Sequence, residues 1–185
     1  MEVMDDLHYY NEFISGNDEA LAFLVEKYNK NMVLFLTSYT RSVERAEDAV
    51  ADTFLKLFIK KPKFNGASSF KTWLFKIAIN TARTNYAKDA GFEKRVSSYY
   101  DNMDLENEND LVEFILDDSQ KETIRKALEN IHPDYGTALK LKYFEDFSID
   151  EICSIMHKTK KQVNNLLYRG KVDLKQELKK AGFKV

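Results

Sequence analysis

An internal disulfide is ruled out for this chain, because its 185 residues include one cysteine, Cys153. A lone thiol fits a reducing compartment. Histidines are also few, at positions 8, 132 and 157, and they are scattered. With Cys153 on an expected core face, no metal-ligand spacing and no nucleophile beside a base can be assembled. Carboxylate neighbours such as Glu47 and Asp48 point to different sides of a helix, so no acid/base pair emerges either. The expectation is a chain without catalysis, cofactor or metal of its own. No apolar run is long enough for a membrane span, and Met1 to Asp6 is acidic where a signal peptide starts basic. A soluble cytoplasmic protein is expected. Two prolines and six glycines in the whole chain, set in long 3.6-residue periodicities, predict an all-α fold.

Charge of one sign is missing from two stretches. Between Thr53 and Lys88 there is no Asp or Glu, yet eight cations occur, among them Lys56, Lys63, Lys71, Lys76, Arg83 and Lys88. Seven aromatics are threaded through them: Phe54, Phe58, Phe64, Phe70, Trp73, Phe75 and Tyr86. Cations neutralise phosphates and aromatic faces stack on bases that have left a duplex, so a nucleic-acid strand accounts for both features. A helical hairpin with aromatic core and solvated lysines accounts for part of it, since Leu57, Trp73, Leu74, Ile77 and Ala78 carry helical burial spacing. From 96 to 120 the opposite holds, with eight carboxylates and no Lys or Arg. That segment is poor in apolar residues and is expected to be a flexible acidic linker. The flanking parts, 1–95 and 121–185, have net balances of +1 and +5. The fold class is therefore two small helical domains joined by an acidic linker.

Along the first part, helices are predicted over Met4–Ile14, from an Asn17 N-cap to about Ser38, from a Ser42 cap to about Lys60, and from Ser69 to about Lys88. The third ends there because Pro62 disfavours helical geometry in the residue before it. Its outer face carries Glu44, Glu47, Asp48 and Asp52. After the linker, Leu116–Asn130 and Tyr135–Phe144 read as helices with a break at His132 and Pro133. Ser148 with Glu151, and Thr159 with Gln162, are two capping boxes, and Phe147 can staple onto Ile152. Two capped helices separated by His157, Lys158 and Thr159 have the pattern of a helix-turn-helix. In the second, Val163, Leu166, Leu167, Gly170, Leu174 and Leu178 face inward. Lys161, Asn165, Tyr168 and Arg169 then cluster on the opposite side, flanked by Gln162 and Asn164, where they can donate to phosphates and read base edges.

With these residues in view, the chain resembles the sigma-70-family initiation factors of the extracytoplasmic-function group. The resemblance is carried by Asp18-Glu19-Ala20 through Tyr28, Ala46-Glu47-Asp48 through Leu57, and Phe70-Lys71-Thr72-Trp73-Leu74 through Asn80. It continues through Leu128, Pro133, Leu139 and Tyr143-Phe144 to Arg169 and Leu174. It implies that 1–95 joins core RNA polymerase and reads the −10 element, and that 121–185 is a helix-turn-helix domain reading the −35 element. By similarity, Glu47, Asp48, Asp52 and Lys56 meet polymerase. Lys63, Phe64, Asn65, Ser68, Trp73, Lys76, Asn80, Arg83 and Lys88 handle the melted −10 strand, where an extruded base needs a pocket. Lys160, Lys161, Gln162, Asn164, Asn165, Tyr168 and Arg169 meet the duplex −35 element. The implied partners are core RNA polymerase, promoter DNA and an inhibitory anti-sigma factor held between the domains.

The chain departs from the family pattern at several places: Ala51 for a common Gln, Ala87 for an Arg, and His157 for the usual turn Gly. Gln162, Asn165 and Gly170 replace common Thr, Ser and Ala, which points to an unusual promoter preference and, at Gly170, to a cost in helix stability. A helix-turn-helix regulator that never joins polymerase is the alternative reading, and co-purification with core polymerase separates the two.

Overall fold

The computed structural model describes residues 5–86 and 121–183, which form helices and connecting turns. The expected linker over 96–120 and Lys88 lie outside the described residues, and Met4 does too. The first four helices are α1 (Asp6–Ile14), α2 (Asp18–Thr40), α3 (Val43–Lys60) and α4 (Phe70–Tyr86). The later four are α5 (Lys121–Asn130), α6 (Pro133–Tyr143), α7 (Ile149–Met156) and α8 (Lys160–Lys180). No helix among the described residues is long and apolar enough to cross a membrane.

Local chemistry explains most of the boundaries. Ser42 Oγ accepts from the Arg45 amide and starts α3, and Lys61 ends it in the left-handed region at φ 41°. Both capping boxes form, Ser148 with Glu151 at α7 and Thr159 with Gln162 at α8. Each cap satisfies amides that the helix cannot, an effect worth about 1 kcal/mol. Asn17 differs from expectation: it occupies the N-cap position of α2, but its side chain makes no capping bond. Pro133 opens α6 rather than breaking before it, since its missing N–H lies in the first turn, where no intrahelical acceptor is needed.

The two glycines inside helices are where close packing is bought. A Cβ at Gly170 would stand 3.0 Å from Leu139 Cδ1 and 3.2 Å from Tyr135 Cβ, so α8 can lie against α6 only without one. The helix propensity lost at this position is thus offset by contact between helices. At Gly136 a Cβ would meet the Leu128 carbonyl oxygen at 3.0 Å and Ser38 Oγ at 3.2 Å. That position seats α6 directly on α2.

The contact between α2 and α6 is part of a larger interface between the two halves. Helix α6 packs on α2, and α7 packs on α4, so the two halves share one hydrophobic core. Phe75 of α4 is fully buried between Phe35 of α2, at a ring distance of 5.4 Å, and Phe147 of the α6–α7 turn, at 5.2 Å. Phe147 therefore reaches across to the first half, where burying such a side chain contributes about 1.5 to 3 kcal/mol. Polar groups follow the same route. Buried Lys140 donates to the Leu34 carbonyl at 2.8 Å, and burial pushes its pKa down to about 8. Arg41, itself left-handed at φ 60°, donates to the carbonyls of Glu129 and Ile131 and so closes the C-terminal end of α5 from the other half.

Candidate nucleic-acid and polymerase interfaces

Three surfaces carry the residues expected to act. The first is a cleft where the 62–69 loop meets α4. It holds about 810 Å³ of empty space open to solvent, and its walls include Lys63, Asn65, Ser68, Trp73, Lys76 and Asn80. Six of the nine residues expected to hold a melted strand are thus brought together. The loop gets its shape from Asn65, whose Oδ1 accepts from the Ala67 amide, and from Gly66 at φ 71°. Ser69 accepts from the Thr72 amide at 3.1 Å and opens α4. Among the described residues no carboxylate lines the cleft, while Lys63 and Lys76 supply cations and Asn65, Ser68 and Asn80 supply hydrogen-bonding groups. This is the donor set for a phosphodiester and the polar edge of a base.

Two expected members sit elsewhere. Phe64 is half-buried, with its ring 5.9 Å from Phe70 and 5.4 Å from Trp73 in edge-on geometry. It belongs to an aromatic cluster with Tyr10, and the loop tucks it under Trp73. Arg83 lies further along α4, in a second cleft with Tyr39, Asp134, His157 and Lys158. Trp73 is half-buried, one edge in the aromatic cluster and one at the cleft, which serves packing and access together.

One wall residue comes from the second half of the chain. Ser154 of α7 also lines the first cleft, and its Oγ accepts from Lys76 Nζ at 3.2 Å. Nothing in the local pattern around Ser154 signals this, because the contact joins positions 78 apart.

The second surface is the outer face of α8. Its inward set, Val163, Leu166, Leu167, Gly170, Leu174 and Leu178, is buried as expected. The helix rests on α5, α6 and α7. Lys160 and Lys161 are exposed, and Gln162, Asn164, Asn165, Tyr168 and Arg169 are half-buried along its flank. Gln162 is partly committed: its Oε1 accepts from the Thr159 amide at 2.9 Å, leaving the amide nitrogen for another acceptor. The preceding turn is held by Lys158, whose Nζ is 3.2 Å from the buried Asp134 carboxylate. Burial pushes Lys158 down to about 8, with Arg83 nearby acting the same way. His157, in the left-handed region at φ 54°, occupies the turn position where glycine is usual.

The third surface is on α3. Glu47 and Asp48 are exposed, together with Glu44, as a solvent-facing acidic strip. Asp52 departs from the expected exposure, being half-buried and accepting from Asn85 Nδ2 at 2.7 Å. Lys56 turns inward and donates to Thr81 Oγ1 on α4 at 3.1 Å. The structure thus groups Glu47 and Asp48 and ties Asp52 and Lys56 to α4. Beyond the acidic strip, Leu55, Phe58 and Ile59 are exposed apolar side chains on the same helix.

Comparison with known proteins matches both halves. Residues 24–91 fit the family model described as sigma-70 region 2, and residues 121–174 fit the one described as sigma-70 region 4. The chain is 26% identical over 163 residues to the RNA polymerase sigma factor YlaC of Bacillus subtilis, covering 88% of this chain and 94% of that one. It is 27% identical over 169 residues to the ECF RNA polymerase sigma-E factor of Escherichia coli K12, covering 84% and 85%. Among solved structures, CnrH bound to the cytosolic domain of CnrY superposes with a TM-score of 0.63 at 18% identity, over 95% of this chain and 97% of that one. The sigma factor RpoE in complex with the anti-sigma factor NepR from Bartonella quintana gives 0.62 at 22% identity, over 85% and 96%. At those identities the two structures show the fold alone.

Proposed function

The chain belongs to the sigma-70 family, in its extracytoplasmic-function group, and from that premise we propose how its surfaces divide the work. It is a promoter-specificity factor that binds RNA polymerase and directs it to promoter DNA for initiation. In our reading, residues 1–95 form the unit that docks on polymerase and holds the melted −10 strand. Residues 121–185 form the unit that reads the −35 duplex. The observation that carries this division is the cleft between the 62–69 loop and α4, whose walls join cations, amides and an aromatic edge with no carboxylate among the described residues.

The chemistry follows from the groups present. A base rotated out of the duplex loses stacking, a cost of a few kcal/mol, which the half-exposed edge of Trp73 offsets by contact. Asn65 and Asn80 offer both a donor and an acceptor to its polar edge. Lys63 and Lys76 line the same cleft and supply the cations that a strand's phosphates would need. On α8, Asn165 and the free nitrogen of Gln162 are suited to base edges in a major groove, and Lys160 and Lys161 to the backbone. Glu47 and Asp48 offer a basic surface of polymerase an acidic partner that is already exposed. An anti-sigma factor is a further proposed partner, as one solved relative is in complex with such a protein.

Transcription by core polymerase plus this protein on fragmented genomic DNA tests the reading. Mapped start sites should share two upstream motifs, and Asp48→Arg should abolish co-purification with core while leaving thermal unfolding unchanged. Asn65→Ala with Asn80→Ala should lose open complexes on linear promoters and recover them in part on templates mismatched over the −10 region. Normal promoter melting by that double variant would overturn the assignment of the cleft.

A further inference from the structure

Arg83, one of the cations expected to hold a melted strand, keeps different company in the fold. It stands at the seam between the two halves, in the second cleft, which holds about 560 Å³ of empty space open to solvent. Small-molecule sites occupy about 300 to 1,000 Å³, so the space is of that order. Two more nitrogen groups reach the same cleft from the turn before α8, the His157 imidazole and the Lys158 ammonium. Asp134 is the one carboxylate among the described residues that line it, and it is buried with its Oδ2 3.2 Å from Lys158 Nζ. Its charge is engaged by Lys158, and no other described carboxylate on the wall answers Arg83. Burial, and then the Arg83 charge, lowers the pKa of both His157 and Lys158, as happens when like charges gather in one place. Arg83 is held there by Tyr39, whose buried phenol oxygen accepts a hydrogen bond from it. Asn80 lines the first cleft and His157 the second, and the hydrogen bond between them, 3.0 Å from Oδ1 to Nε2, marks the boundary.

We propose that this second cleft is a binding site for a small phosphate-bearing anion, whether orthophosphate, pyrophosphate or the diphosphate end of a nucleotide, gripped by Arg83 from the first half and by His157 and Lys158 from the second. The site stands apart from the first cleft and does not depend on what that cleft holds. A phosphate suits these three donors because it offers several oxygens at once. A guanidinium fork takes two of them, and an ammonium and a protonated imidazole take others. A planar carboxylate has two oxygens, which the fork alone fills. A DNA strand is the poorer occupant, since it calls for cations spaced along its length, whereas these three converge on one cleft from two sides. Ile79 and Met156 also line the cleft, and they would meet the apolar part of a nucleotide but nothing of a bare phosphate. An anion among the three groups replaces mutual repulsion by attraction, so its binding stabilises the folded chain as it saturates.

Isothermal titration calorimetry of the full chain near pH 7 and at low salt, with inorganic pyrophosphate as the probe, should show saturable one-to-one binding. Arg83→Gln should weaken it by about tenfold or more, the loss of one charge-assisted contact. Lys30→Gln removes one exposed cation of α2 and should leave the affinity unchanged. Because Lys158→Gln alone would strand the buried Asp134, the second variant is Lys158→Gln with Asp134→Asn, which keeps the pair neutral and should also weaken binding by about tenfold or more. The imidazole supplies a readout that a merely structural role for Arg83 would not move. Its proton resonance, assigned through His157→Asn, should titrate at higher pH with saturating pyrophosphate than without, since an anion opposes the depression that Arg83 and Lys76 of α4 impose. The other titratable groups on the wall, Tyr39 of α2, Asp134 of α6 and Lys158, are present in both titrations. Orthophosphate and guanosine diphosphate tell the sources apart: orthophosphate as tight as pyrophosphate marks a single-phosphate site, equal pyrophosphate and nucleotide affinities mark a diphosphate site, and tighter nucleotide binding marks one that also uses Ile79 and Met156. Heats that do not saturate, equal affinity in wild type and Arg83→Gln, or an unmoved His157 titration overturns the proposal. Displacement of pyrophosphate by a stoichiometric oligodeoxythymidine dodecamer overturns it as well, since the cleft would then belong to the strand.

Discussion

Helices α4 and α8 are the two proposed to meet nucleic acid, and they differ in material and in setting. The first is aromatic and apolar with sparse cations, and α7 lies along it. The second is rich in Lys, Asn and Gln, and it rests by one stripe on α5, α6 and α7. A surface that must grip unstacked bases needs exposed aromatic edges and unpaired cations. Left open, such a surface attracts any polyanion or apolar chain. A surface that reads an intact duplex works with polar side chains, which water satisfies when DNA is absent. The chain accordingly covers the former with its own polar groups and presents the latter outward.

The comparison can be broken most strongly at Trp73. Trp73→Ala should cost about 3 kcal/mol in urea unfolding, the low end for a large aromatic because one edge is exposed, and should also abolish promoter melting. Phe64→Ala should follow with a smaller stability loss, since its ring leans on Phe70 and Trp73. Loss of melting without loss of stability would mean that the cluster is not a packing unit.

A second set of changes sharpens the contrast from the side of α8. Asn165→Ala and Gln162→Ala should each cost roughly 1 to 3 kcal/mol at individual base positions of the upstream element, with the fold intact. Lys161→Ala should weaken all sequences alike and reduce the salt slope by about one. Band-shift titrations over single-base promoter variants at several salt concentrations separate these outcomes. Uniform losses from all three would mean that α8 grips the duplex without reading it.

The smallest expected effect concerns pH at the seam. Burial lowers the pKa of His157, and Arg83 and Lys76 lower it further, so the folded state prefers the neutral ring. A depressed pKa contributes stability that is fully present above the unfolded value of about 6.5 and is lost as pH falls below it. Between pH 7 and pH 5.5, wild type should therefore lose slightly more stability than His157→Asn, the difference being small because solvent screens this exposed ring. Asn is the chosen replacement because it tolerates the left-handed backbone at this turn. Parallel pH curves for the two proteins would show that the imidazole does not feel the cations of α4.

What could be read from the chain before its structure follows from the range of each interaction. The caps at Ser42, Ser148 and Thr159 were legible because a side chain reaches an amide three residues on. The inward stripe of α8 was legible because 3.6-residue periodicity is local. The cleft residues from Lys63 to Asn80 were legible as a charge and aromatic pattern, but the packing of Phe64 was not, since no local rule tells whether a loop tucks its aromatic under a neighbour. Gly170 read as a weakness, and only the position of Leu139 shows it to be a contact. The seam was not legible at all. Lys71 with Glu145 and Thr72 with Glu151 join residues 74 and 79 apart, and such pairs leave no periodic trace. Buried Lys140 and Asp134 were hidden for the same reason, because charged side chains are expected outside.

The phenol of Tyr10 donates to the Pro62 carbonyl at 2.6 Å, and its ring lies 5.2 Å from Phe70 and 5.3 Å from Trp73. The loop that walls the cleft is thus pinned by a helix lying upstream of residue 24, where the region 2 likeness begins. Modularity measured by likeness and modularity measured by mechanics do not coincide here. The smallest fragment able to grip a melted strand should have to start at α1, and one cut to the bounds of the likeness should keep its fingers but lose the wrist that steadies them.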